Sequence, residues 1–264
     1  MAIVDSKERL AVKMRAQNGR LWSTLHNGKY ELRSLANADL EEALNVLNDS
    51  FFINESVCNG CEINLPENSQ ARQELRELCR ITAQDGVSLI IKHVESGRIV
   101  AVSFNKLQFS PPPGEDNFFV KFYNEQAKSP QAKALMNYMI TMDAKIDVCA
   151  EYNMDCVCEL MFLATLPEFG RQGLGRALAE TTIQLARELG QGQGLEDVAP
   201  ELQDKRPKAV TALWTSLFTQ KIGKAVGFKV LNTVPYSEFE YNGKRFDERI
   251  KPIHKFSEQV MFKL

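Results

Sequence analysis

The chain changes its hydrophobic period repeatedly, and each change predicts an element. Residues 1–20 read as a short helix. Lys29–Leu35 alternates weakly, as a half-buried strand does. From Asn37, placed as an N-cap, Leu40, Leu44, Leu47 and Phe51 recur at helical spacing. Residues 56–65 read as loop. Pro66 opens a second helix with Leu75, Leu78, Cys79 and Ile81 on one face and Gly86 past its end. Val87–Val94 and Arg98–Phe109 are rich in β-formers and joined by Glu95-Ser96-Gly97, a hairpin. Ser110–Asp116 is loop. Ser129-Pro130 starts a long helix that runs to about Val148 and carries Leu135, Met139, Met142 and Ile146 on one side.

The sharpest change of period lies in 157–190. Cys158, Leu160, Met161, Phe162 and Leu163 form an apolar run of strand length. Pro167, Gly170, Gly173 and Gly175 then break the chain. From Leu174 the apolar positions fall on one helical face through Leu178, Leu185 and Leu189, and Gly190 stops the helix. Residues 190–208 are a polar connection. Ala209–Trp214 reads as a strand, Thr215–Val226 as a helix closed by Gly227, and Phe228–Val234 and Glu238–Tyr241 as strands before an Asn242-Gly243 turn. Gln259–Leu264 is a final strand.

Composition narrows the function classes. The chain has 264 residues, 44% apolar and 25% charged, with a net charge of -2, so bulk electrostatics offer nothing to nucleic acid. No run of 18 apolar residues is present, which excludes a spanning helix of ordinary length. The charged, mixed start lacks a signal-peptide core, so a cytoplasmic protein is expected. Six cysteines in such a chain are expected as reduced thiols. Cys58-Asn59-Gly60-Cys61 lacks a second ligand pair, and His26, His93 and His254 are scattered, so no metal is expected and a hydrolase built on His is poorly supported.

A strand feeding a Gly-rich turn at a helix N-terminus is an anion site. Free N–H groups and the helix dipole meet there, and Arg171 and Arg176 add charge. Arg176-Ala177 stands where a phosphate-binding P-loop needs Lys and Ser or Thr. No third glycine completes the dinucleotide fingerprint, since that position is Leu178. Arg171-Gln172-Gly173-Leu174-Gly175-Arg176 instead resembles the acetyl-CoA pyrophosphate loop of the GNAT superfamily of N-acetyltransferases, with Gly170 where that superfamily prefers Gln or Arg. Two further stretches resemble its insect arylalkylamine N-acetyltransferase branch. Phe51-Phe52-x-x-Glu55 looks like the motif with the catalytic glutamate, and Trp214 to Thr219 ahead of Gly227-Phe228 looks like the strand and helix whose hydroxyls line the site.

The resemblance implies an α/β (α+β) GNAT fold over 29–264, with residues 1–28 as an extension. Its mixed, mostly antiparallel, twisted central sheet carries helices on both faces. It implies direct transfer of an acetyl group from acetyl-CoA to a primary amine of the dopamine, tyramine or serotonin class. From composition and motifs no metal, nucleic-acid or membrane partner is expected, and a monomer is the expectation. The resemblance assigns Glu55 as base acting through water, Thr215 and Thr219 as hydroxyl donors (Ser216 if the register is one residue off), and Phe51 and Phe52 as amine contacts. Met161, Phe162 and Leu163 would pair their backbone with the pantetheine arm, and Arg171 through Arg176 would hold the pyrophosphate. The tyrosine acid common in the superfamily is absent, because that position is Gly223. Two alternatives stay open: an acyltransferase for longer acyl-CoAs or amino-acid acceptors, and a CoA-binding module with little turnover.

Overall fold

Eight strands pair in the order β1-β2-β3-β4-β5-β6-β10-β7. They are β1 Leu21–Leu25, β2 Tyr30–Ser34, β3 Leu89–His93, β4 Ile99–Gln108, β5 Val157–Thr165, β6 Ala209–Trp214, β7 Lys229–Pro235 and β10 Phe256–Lys263; β8 Glu240–Tyr241 and β9 Lys244–Arg245 form a separate small hairpin. This computed structural model describes residues 19–112 and 114–264. The helix expected over 1–20 falls almost wholly outside them.

The helices are α1 Leu40–Val46, α2 Ser56–Gly60, α3 Ser69–Ala83, α4 Phe118–Glu125, α5 Pro130–Lys145, α6 Val148–Glu151, α7 Leu174–Gly190 and α8 Leu217–Val226. They cover both faces of the sheet. On one face Phe104, Phe162 and Ala164 pack against Leu44, Leu75 and Met139; on the other Leu160, Val210 and Ala212 pack against Leu178, Ile183 and Ala186. Each Leu, Ile, Val, Phe or Met side chain among them contributes about 1.5–3 kcal/mol by leaving water. No helix among the described residues is long and apolar enough to cross a membrane.

Two irregularities in the sheet place the site. The β4–β5 register slips, with Phe104 opposite Phe162 but Asn105 opposite Leu160, so Met161 is a bulge residue. In a regular strand residues 158 through 164 of even number would share one face. The bulge reverses this: Cys158 and Leu160 face α7, while Phe162 and Ala164 face α1 and α5. Secondly, β5 and β6 are the sheet's only parallel neighbours among the described residues, and they pair for three residues, Cys158–Leu160 with Val210–Ala212. Beyond Ala212 the two strands part, and a cleft opens between them.

Several expected boundaries change. The span 1–28 was set apart as an extension, yet β1 lies inside it and pairs antiparallel with β2. Its exposed edge position leaves Leu21, Ser23 and Thr24 in water and erases the hydrophobic signal. Asn37 sits in a 3-10 turn and its side chain caps nothing. The supposed loop 56–65 contains α2, and α4 follows the Pro-rich loop unannounced, capped by the Asn117 side chain on Val120 N–H. The helix expected from Thr215 begins at Leu217, since Ser216 is its cap.

Candidate active site

The cleft between β5 and β6 encloses about 340 Å³ and is walled by Phe51, Glu55, Tyr138, Met139, the strand Leu160–Thr165, Trp214, Thr215 and His254. Glu55 reaches it because α1 does not end cleanly. A π-turn over Leu47–Phe51 shifts the helix register, a last turn Phe52–Asn54 follows, and Glu55 leaves the helix in extended conformation (φ -69°, ψ 143°). There it caps α2. Its Oε1 accepts from Val57 N–H at 2.9 Å and its Oε2 from Cys58 N–H at 2.7 Å. The Thr215 hydroxyl donates to Oε1 at 2.6 Å, joining the end of β6 to the cap. Thr215 is fixed in turn by the Tyr236 hydroxyl, which donates to its carbonyl.

Glu55 and Thr215 therefore meet, and the other expected site residues divide. Thr219 lines the cleft, but its hydroxyl accepts from Ser216 N–H at 3.2 Å and donates to Ser216 C=O at 3.0 Å. It closes a capping box with Ser216, whose Oγ accepts from Thr219 N–H. Thr215 and Thr219 do not share a helix face, because Thr215 precedes the helix. Phe51 lines the cleft edge-on to Phe162, with ring centres 5.4 Å apart. Phe52 instead points into the core and is wholly buried, so as a substrate contact it is corrected to a packing residue. Ile53 beside it is 41% exposed and does not screen Glu55 from water.

On the far side of β5, the Gly-rich turn has the conformation an anion site needs. Gly173 caps α7 in the left-handed region (φ 76°), a place where a Cβ costs about 1–2 kcal/mol. Ala177 N–H makes the first helical bond, to Gly173 C=O, so the amides of Leu174, Gly175 and Arg176 have no helical acceptor and carry no bond among the described residues. Gly175 touches the cleft wall: a Cβ there would stand 3.4 Å from Ile222 and 3.9 Å from Leu163. Arg171 is exposed with φ 61°, and Arg176 is ion-paired to Glu180 at 2.8 Å on the surface. Gln172 is pinned from the N-terminal strands: Tyr30 donates to its side-chain oxygen at 2.7 Å and His26 Nε2 lies 2.9 Å from its carbonyl. Its side chain holds the loop's shape.

Sequence reasoning set His254 aside, yet it lines the cleft. Its Nδ1 accepts from Leu217 N–H at 3.1 Å, and burial, then the charge of Lys251, lower its pKa against the pull of Glu55. With Nδ1 accepting from the backbone, a neutral ring there carries its proton on Nε2. Only the fold brings this C-terminal residue to the cleft. Gly223 also has a physical reason. A Cβ there would lie 2.2 Å from the indole nitrogen of Trp214, so no larger residue fits unless the tryptophan moves. The thiols of Cys58 and Cys61 are buried, and burial, then the Glu55 charge, push both pKa values well up, which removes them as nucleophiles.

No family model matches the chain, and no curated protein does. Solved structures do. Arylalkylamine N-acetyltransferase 2 from Aedes aegypti superposes with a TM-score of 0.72 over 89% of this chain and 98% of that one, at 17% identity. The putative arylalkylamine N-acetyltransferase 7 of the same mosquito gives 0.70 over 93% and 95%, at 17% identity. Drosophila melanogaster polyamine N-acetyltransferase, an enzyme that forms N-acetylagmatine, gives 0.69 over 89% and 100%, at 18% identity. The chain has the GNAT fold of these acetyltransferases.

Proposed function

We propose that the protein transfers an acetyl group from acetyl-CoA to a primary amine in a ternary complex. The observation that carries this reading is the Glu55–Thr215 hydrogen bond at the mouth of the parted β5–β6 strands. Glu55 takes a proton from the amine, directly or through water, and so frees the lone pair that attacks the thioester carbon. The edge of β5 that β6 leaves beyond Ala212, around the Met161 bulge, offers backbone groups to the pantetheine arm and to the developing oxyanion. Once Glu55 holds the amine proton, Thr215 turns, gives its hydroxyl proton to the departing thiolate and regains one from Glu55. As the tetrahedral adduct collapses its nitrogen loses the second proton to water, and the relay returns both side chains to their starting states. The free amides of Leu174, Gly175 and Arg176, with Arg171, suit a pyrophosphate.

The apolar lining of Phe51, Tyr138, Met139 and Phe162 suits an amine with an apolar body, for which the arylalkylamines are the expected class. The test is thiol release from acetyl-CoA with purified protein over a panel of arylalkylamines, aliphatic amines and amino acids. Release with one class supports transfer. Silence across the panel, with acetyl-CoA still raising the melting temperature, would leave a binding module in its place.

A further inference from the structure

A second cavity of about 330 Å³ continues the cleft along the same three elements. The first is walled by Met139 of α5, Leu160 to Thr165 of β5, Leu213 and Trp214 of β6 and the Thr215 that follows it. The second is walled by Asp143 of α5, Glu159 of β5 and Thr211 of β6, with Leu213 common to both. Asp143 lies one helical turn beyond Met139, about 6 Å along the axis. Thr211 lies four strand residues before Thr215, about 13 Å along β6. The two cavities are thus laid end to end, and Glu159 projects toward α5 because the Met161 bulge puts it on that face.

The second cavity is rich in acceptors and poor in donors. Glu159, buried at 6% exposure, receives one bond among the described residues, from the Gln108 amide at 2.9 Å. The half-buried Asp143 receives none among them. Gln259 is buried, donates to the Ile146 carbonyl at 2.8 Å, and leaves its Oε1 unbonded in the cavity wall. Two carboxylates and an orphan amide oxygen in one hollow need a donor with positive charge. Lys106 is the nearby cation, and it is committed to Asp85 at 2.8 Å. Asp147, the third acid of the wall, caps α6 through Ala150 N–H. Among the described residues no group of acids, cysteines and histidines is arranged to hold a metal ion. An alkylammonium or guanidinium supplies several N–H donors and tolerates such a shape.

We propose that this cavity binds a second cationic group of the acceptor, so that the preferred amine is a dication such as an alkyl diamine or polyamine, its reactive nitrogen at Glu55 and its far nitrogen between Asp143 and Glu159. The proposal rests on the transferase reading for the reactive end only. It narrows the acceptor from arylalkylamines, whose ring would leave the acids unpaired.

The test compares spermidine and 1,8-diaminooctane, chains long enough to reach from Glu55 toward the acids, with octylamine and phenethylamine, monocations of matched and aromatic body. In the wild type, kcat/KM for the long diamine should exceed that for octylamine at least tenfold. In Glu159→Gln this ratio should fall at least tenfold, through KM. A second readout needs no turnover: spermidine without acetyl-CoA should raise the melting temperature, and Glu159→Gln and Asp143→Asn should each abolish the rise. Asp143→Asn also serves if the first variant folds poorly. Equal or better turnover of the monocations, with no spermidine shift that depends on Glu159, would overturn the second site and leave the transferase standing. No thiol release with any amine would overturn the transferase, and the spermidine shift alone would then decide the cation site.

Discussion

At the mouth of the cleft Glu55 draws three donors: two backbone amides of α2 and the Thr215 hydroxyl. Deeper along the same sheet face Glu159 draws one donor, and Asp143 draws none among the described residues. Burial pushes Glu159 up to about 7, against the lowering pull of Gln108 and Lys106. Burial, then the charges of Glu159 and Asp147, push Asp143 well up. The difference shows how a fold assigns tasks to carboxylates of like chemistry. The chain itself supplies donors to one acid, whereas the acids it leaves without donors are, on our proposal, completed from outside.

The comparison breaks most readily at Glu55. Glu55→Gln keeps an acceptor for the α2 amides but removes the base, so kcat/KM should fall roughly 10²- to 10⁴-fold. Acetyl-CoA should still raise the melting temperature; unchanged turnover would remove Glu55 from the mechanism. The next largest effect concerns stability at Glu159. Its folded pKa, about 7, lies above the ordinary 4.5, so the folded chain holds a proton that the unfolded chain releases. That contribution is present below about pH 4.5 and is lost as pH rises through about 7, a swing of roughly 3 kcal/mol. Glu159→Gln should therefore gain stability over the wild type from pH 5 to pH 8 in thermal melts, and a gain that does not change with pH would contradict the shift.

Thr215→Val sharpens the comparison from the other side by taking a donor from Glu55. Turnover should drop on the order of tenfold and recover in Thr215→Ser, because one hydrogen bond to a charged group is worth about 1.5–3 kcal/mol. A Thr215→Ser variant as slow as Thr215→Val would make the threonine a packing residue. The smallest effect belongs to Gln108→Met, which leaves Glu159 without its donor. It should destabilise by about 1 kcal/mol at pH 8 and by less at pH 5, read from the same melts.

Much of the frame can be read from the chain. The strand, turn and helix of 157–190 stand out because the period changes abruptly and the breakers are glycines. The site's first half, Phe51 to Glu55, is legible through its resemblance to a known motif. Three things stay hidden for physical reasons. The edge strand Leu21–Leu25 is wet on most sides and carries little hydrophobic signal. Thr219 looks as available as Thr215 in sequence, and only the cap geometry at Ser216 separates them. The second cavity draws Asp143, Glu159 and Gln259 from three distant elements. A faint signal existed at Glu159, an acid inside the apolar run of 157–163 and so a charge placed where burial is costly.

Trp214 carries one more consequence. It is one of two tryptophans in the chain; its indole rests on Gly223, lines the cleft, and leaves Nε1 without a bond among the described residues. The other, Trp22, lies on β1, bonded to Ser34 and stacked under the Arg20 guanidinium. Trp22→Phe therefore leaves a single fluorophore at the chemical centre. Its emission, blue-shifted by a dry setting, becomes an intrinsic optical gauge of occupancy, able to time the arrival of each substrate without a label or a coupled reaction.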